Sequence, residues 1–89
     1  MRAKEFLRLN SSWSLAHDEN QWIVRQLTHR QDETYWNPLC YVGSKKSLVL
    51  SYLRAKGVQI TPEAQLYLDK MPATFLEWRK LKKKRSCNV

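Results

Sequence analysis

Two polar segments of five residues, HDENQ at 17–21 and HRQDE at 29–33, constrain this chain most. Each separates runs with strand character, and each is too short for the crossover that a parallel pair requires. Strands joined this closely pair as antiparallel neighbours. In FLRLNSSWSLAH (6–17), Leu7, Leu9, Trp13 and Leu15 share one parity, interrupted by Ser11. That is the period of a single half-buried strand. WIVRQLT (22–28) places Trp22, Val24 and Thr28 on one face and Ile23 and Leu27 on the other. A central strand carries this two-sided pattern, as does one whose second face is partly covered. TYWNPLCYV (34–42) is the third run. Its Pro38 has no N–H for a ladder, which predicts an edge or a bulge.

The second half carries helix signals. Gly43-Ser44 follows the third strand, with Ser44 as the expected N-cap. Val49, Tyr52, Leu53 and Lys56 then have helical spacing, and Gly57 suits the position after the last turn. Leu48, Val49, Tyr52 and Leu53 are expected to face the sheet. In TPEAQLYLDKM, Thr61 can cap, Pro62 suits the first helical position and Glu63 complements the positive helix end. Ala64, Leu68 and Met71 form its stripe, and Pro72 ends it. A third helix restarts with Thr74 and Glu77 at capping-box spacing. Phe75, Trp78 and Leu81 fall on one of its faces. The expected fold is α+β: a three-stranded antiparallel β-meander followed by two or three helices packed on one face. Residues 1–81 form one domain, and 82–89 form a basic tail expected to fray.

At 89 residues the chain is one small domain, and the ten aromatic residues supply much of its core. It has no signal-peptide pattern at its start and no apolar run of membrane length. Cys40 and Cys87 make no disulfide framework and are read as reduced thiols. These features point to a cytoplasmic protein without a membrane partner, and a start at Met1 reads as a complete chain. The net charge of +8 is unevenly placed. Residues 1–78 hold ten of the sixteen cations and all eight acids, a net of +2. Arg79, Lys80, Lys82, Lys83, Lys84 and Arg85 hold the rest of the basicity.

Four constellations are candidates for function. In GSKKS, a helix start with free amides suits a phosphate, and Lys45 and Lys46 would add charge. One glycine does not make a P-loop. The plainer reading is a serine-capped helix with solvated lysines, although lysines are mildly unfavourable at a helix start. The run RKLKKKR (79–85) fits a polyanion through counterion release, and its plainer reading is a solubilising tail. Trp22 and Trp36 on strands are candidate partner-binding aromatics, against the commoner use of aromatics as core. His17, His29, Cys40 and Cys87 lack the spacings of a metal site, so neither metal nor cofactor is expected. Cys40 with His29, and Asp32 with Glu33, define no catalytic geometry, and no enzyme is expected.

Residues 20–56, with the strand ending YVGSKKSLVLSYLRAKG, resemble the three-strand-plus-helix arm-binding domain of phage-type integrases. In that family a small sheet enters the DNA major groove and a helix backs it. The basic residues on the strands here are Arg25 and Arg30, and the catalytic core of an integrase is missing. Over its whole length, with QWIVRQ and YWNPLCYV joined to helices and a basic end, the chain resembles small uncharacterised phage or prophage proteins. That resemblance implies a mobile-element setting.

The expected function is a small accessory protein that binds the DNA or RNA backbone. Phosphate contacts would come mainly from Arg79, Lys80, Lys82, Lys83, Lys84 and Arg85, with Lys45, Lys46 and Arg25 assisting. The alternative is a modulator or inhibitor of a host protein that uses Trp22 and Trp36. Either is compatible with a homodimer through a sheet edge.

Overall fold

The computed structural model describes residues 3–87, with side chains over 3–81. Four strands, β1 (Lys4–Arg8), β2 (Trp13–His17), β3 (Trp22–Arg30) and β4 (Glu33–Val42), form one antiparallel sheet in the order β1-β2-β3-β4. Three helices follow: α1 (Lys46–Ala55), α2 (Pro62–Lys70) and α3 (Phe75–Cys87). The class is α+β, as expected, but the sheet has four strands and not three.

The extra strand comes from Asn10. Its Oδ1 accepts from the backbone N–H of Ser12 at 2.7 Å and of Trp13 at 2.9 Å. Such a side chain mimics a backbone turn. Leu9 and Asn10 then donate to the Trp13 carbonyl at 2.9 and 3.2 Å, closing a hairpin inside the run that reads as one strand. The facing pair Arg8 and Ser14 encloses residues 9–13, an odd number, so the apolar parity passes through the turn unbroken. Leu7 stands opposite Leu15 across the hairpin. Asp18 repeats the device between β2 and β3. Its Oδ1 accepts from Asn20 N at 2.7 Å and from Gln21 N at 3.0 Å. Between β3 and β4 the turn is tighter, with Gln31 at a φ of +55°.

Period two assigns the faces. The sheet residues of the main core, Leu15, Trp22, Val24 and Val42, share one face with Val49, Leu53, Ala64, Leu68, Phe75 and Trp78 of the helices. The helices therefore pack on one side of the sheet. Trp22 stands edge-on to Phe75 at 5.4 Å between ring centroids, and Trp78 packs on Phe6 at 4.6 Å. Val49 and Leu53 are buried as expected and Tyr52 is half-buried, but Leu48 is 51% exposed. Leu81 also points outward, so among the described residues Trp78 is the last one buried on α3.

The helix boundaries follow the chemistry of their ends. Thr61 Oγ1 accepts from Ala64 N at 3.3 Å, with Pro62 behind it. Thr74 Oγ1 accepts from Glu77 N at 3.2 Å and donates to the Glu77 carboxylate at 3.0 Å. Gly57, at a φ of +69°, closes α1. The start of α1 differs from expectation. Ser44 is not its N-cap; Lys45 occupies that position and gives no side-chain cap. The segment is instead held by the α2–α3 connection. Lys46 N donates to Ala73 O at 2.7 Å, Phe75 N donates to Ser44 O at 2.8 Å, and Lys45 bridges Thr74. A backbone acceptor from far along the chain does the work that a serine hydroxyl would have done.

Candidate nucleic-acid interface

The face of the sheet away from the helices is organised by two bulges. In β1 the register shifts between Glu5 and Leu7, so Phe6 is the extra residue. Glu5 and Arg8 are three apart and would sit on opposite faces of a regular strand. The bulge puts both on the outer face and leaves Phe6 and Leu7 toward the core. In β4 the shift opposite Val24 and Arg25 makes Leu39 the extra residue, next to Pro38. β4 is an edge strand, so Pro38 sits at both an edge and a bulge, as its missing N–H requires.

A cross-strand row then runs Arg8, Ser14, Arg25, Pro38 over all four strands. Arg8 and Arg25 converge on Trp36 of β4. Their guanidinium carbons lie 4.7 and 5.5 Å from the ring centroid. Glu5 Oε1 joins both, at 3.2 Å from Arg8 Nη2 and 3.3 Å from Arg25 Nη2. The side chain of Arg8 is 52% exposed, that of Glu5 31% and that of Arg25 15%, so the cluster grades from solvent to floor. Ala16 and Ile23, on this same face, are buried yet belong to no part of the main core. Two polar atoms on the floor, Arg25 Nε and Ser14 Oγ, are buried without a hydrogen-bond partner.

The junction residues divide. Lys46 Nζ donates to the carbonyls of Leu68 at 2.7 Å and Met71 at 2.9 Å. These are carbonyls at the end of α2, where a cation is favoured both by hydrogen bonding and by the helix dipole. The lysine at the unfavourable end of α1 is therefore explained by the favourable end of α2. Lys45 is exposed and roots α3 through its bridge to Thr74. Arg79 and Lys80 are exposed on α3, and at ~1.5 Å of rise per residue they lie about 6–8 Å along the axis from Phe75. Lys82, Lys83, Lys84 and Arg85 fall within the span of α3, but their side chains lie outside the described residues. The ion pairs among the described residues are the two made by Glu5, so Lys45, Arg79 and Lys80 have no acidic partner there.

The two candidate aromatics also divide. Trp22 is 1% exposed in the main core, so it presents nothing to a partner. Its place on a strand face flanked by Val24 made it a core residue. Trp36 is half-buried on the outer face beneath the arginines. Arg25 is on this outer face, whereas α3 packs through Phe75 and Trp78 on the other side of the sheet, so the fold does not unite Arg25 with Arg79 and Lys80. Arg30 is exposed at the β3–β4 turn. Reading the sequence missed Arg8, Glu5 and Ser14. The signal for Arg8 and Ser14 was their opposite parity to Leu7 and Leu15; Glu5 shares the parity of Leu7 and reaches the outer face only through the bulge at Phe6.

Among the described residues, no three His, Cys, Asp or Glu side chains group as a metal site would need, and no helix is long and apolar enough to cross a membrane. His29 Nδ1 lies 3.1 Å from Thr34 Oγ1, and the His17 ring packs edge-on to Phe6 and Trp78. Cys40 is a half-buried free thiol. No protein-family model, curated protein or solved structure matches the chain.

Proposed function

We propose that this chain is a non-enzymatic accessory protein that binds the phosphate backbone of DNA or RNA through the cations of α3. The observation that carries this reading is the lack of compensation on the helical side. Lys45, Arg79 and Lys80 are exposed without acidic partners among the described residues, at the root of a helix that continues into Lys82, Lys83, Lys84 and Arg85. Like charges at i and i+4, as in Arg79 with Lys83 and Lys80 with Lys84, weaken an isolated helix. A polyanion relieves that repulsion and releases its own counterions. Lys46 has no part in this interface, because its ammonium is held by α2. Anisotropy of a labelled duplex and a labelled single strand, titrated at low salt, tests the reading. Binding that disappears on deletion of residues 80–89 supports it, and no binding to either probe overturns it.

A second reading, a protein partner, draws on the edge strand. Tyr35, Leu39 and Tyr41 of β4 are exposed, and a host protein or a second copy could pair there. Pro38 and the bulge at Leu39 interrupt the ladder that such pairing needs, so this reading stands second. Sedimentation at micromolar concentration and pull-down from host extract address it.

A further inference from the structure

We infer that the outer sheet face carries a binding site for a phosphate oxyanion, in which Glu5 holds the place of the ligand. This inference is independent of Arg79 and Lys80, which belong to the helix packed on the other side of the sheet. Two guanidinium groups from different strands converge there, and a single carboxylate oxygen serves both. Its contacts, 3.2 and 3.4 Å to Arg8 and 3.3 Å to Arg25, are loose. A well-seated guanidinium–carboxylate pair closes to about 2.7–2.9 Å, often with both oxygens engaged. Glu5 thus neutralises one charge of two and fills the site poorly.

The floor supplies further donors. Arg25 Nε and Ser14 Oγ are buried without partners, and Ser14 is fully enclosed on the cross-strand row between Arg8 and Arg25. A buried polar group left unpaired costs about 1–3 kcal/mol, so fully buried donors are ordinarily filled. A tetrahedral oxyanion has more acceptor oxygens than the one that Glu5 presents. It can engage both guanidiniums in fork geometry while an inner oxygen faces Ser14 and Arg25 Nε. Glu5 is on a bulged edge strand and one-third exposed, so it can swing into solvent when displaced. Trp36 attracts both guanidiniums through its ring, which favours their convergence when no anion is present.

The test follows the Arg25 Nε–H and Trp36 indole resonances by NMR in the full-length protein. Inorganic phosphate and a short oligonucleotide with hydroxyl ends are the two probes, each compared with chloride at equal ionic strength. Saturable shifts with inorganic phosphate alone assign a free phosphate or terminal group, and shifts with both assign a phosphate that includes the diester. Either result supports the site. Glu5→Gln, which removes the competing charge, should tighten binding by about tenfold, and Arg8→Ala should weaken it by about as much. Arg8 is half-exposed, so this variant tests the site without breaking the core. If neither probe moves Arg25 Nε–H beyond the chloride control, or if Glu5→Gln binds no better than wild type, the site does not exist. Retention of these shifts after deletion of residues 80–89 separates this site from the α3 interface.

Discussion

The Lys46 ammonium donates to the Met71 carbonyl at 2.9 Å and, one turn earlier, to the Leu68 carbonyl at 2.7 Å. This contact ties the start of α1 to the end of α2, beside the backbone bridge that joins residues 44–46 to 73–75. Lys46→Met keeps most of the aliphatic stem and removes both bonds. It should cost roughly 1.5–3 kcal/mol, as hydrogen bonds to charged groups do. In a domain of this size each kcal/mol lowers Tm by about 4–8 °C, which a thermal melt reads directly. Lys45→Met should leave Tm within about 2 °C of wild type, because an exposed lysine without a partner adds little to stability.

Asp18 should contribute to the acid limb of stability. The backbone N–H of Asn20 is the largest influence on its carboxyl, and with Gln21 it holds the pKa below the ordinary 3.8, against a smaller opposing effect of burial. A folded-state pKa below the unfolded value adds stability that is complete above the unfolded value. That stability is lost as pH falls from about the ordinary value through the depressed one. Melts between pH 7 and pH 2 should therefore show wild-type Tm falling below about pH 4. Asp18→Asn retains an acceptor for the turn but cannot titrate. It should start from a lower Tm at neutral pH and show a shallower acid limb. An acid limb of unchanged steepness in the variant would remove Asp18 from this role.

The two strand tryptophans should separate cleanly in stability. Trp22→Leu empties a core position packed against Phe75 and Trp78, at about 3 kcal/mol or more. Trp36→Leu removes a half-exposed ring and its two cation contacts, at about 1–2 kcal/mol. Chemical denaturation of the two variants measures the difference, and equal losses would contradict the face assignment.

These contrasts mark what could be read from the chain. Pro38 announced an edge or a bulge, and the fold uses both. Thr61, Gly57 and the Thr74–Glu77 pair act as their local chemistry dictates, because cap and turn effects are settled within a few residues. The features that escaped were non-local. The β1–β2 turn hid because the odd number of residues between Arg8 and Ser14 preserved parity. Ser44 lost the cap to the Ala73 carbonyl, almost thirty residues away. Lys46 looked misplaced because its partners, Leu68 and Met71, lie more than twenty residues on. The Arg8–Glu5–Arg25–Trp36 cluster depends on a bulge at Phe6 that no local pattern marks.

Two backbone positions give opposite predictions. A Cβ on Gly43 would stand 3.1 Å from the carbonyl oxygen of Asn20, a backbone atom in the Asp18 turn. Gly43→Ala should destabilise by about 1 kcal/mol or more. Gln31, at a φ of +55°, pays the penalty of a side chain in the left-handed region. Gln31→Gly should stabilise by about 0.5–1 kcal/mol. Thermal melts of both variants check the signs.

The central claim, backbone binding through α3, is tested most directly by the dependence of duplex affinity on salt. If the six cations from Arg79 to Arg85 each neutralise a phosphate, log K against log salt should fall linearly with a slope of about −5. Deleting residues 80–89 should abolish binding, while Lys46→Met, compared at a temperature where both proteins are folded, should leave the slope unchanged. Affinity that does not change with salt, or that survives the deletion, would contradict the account.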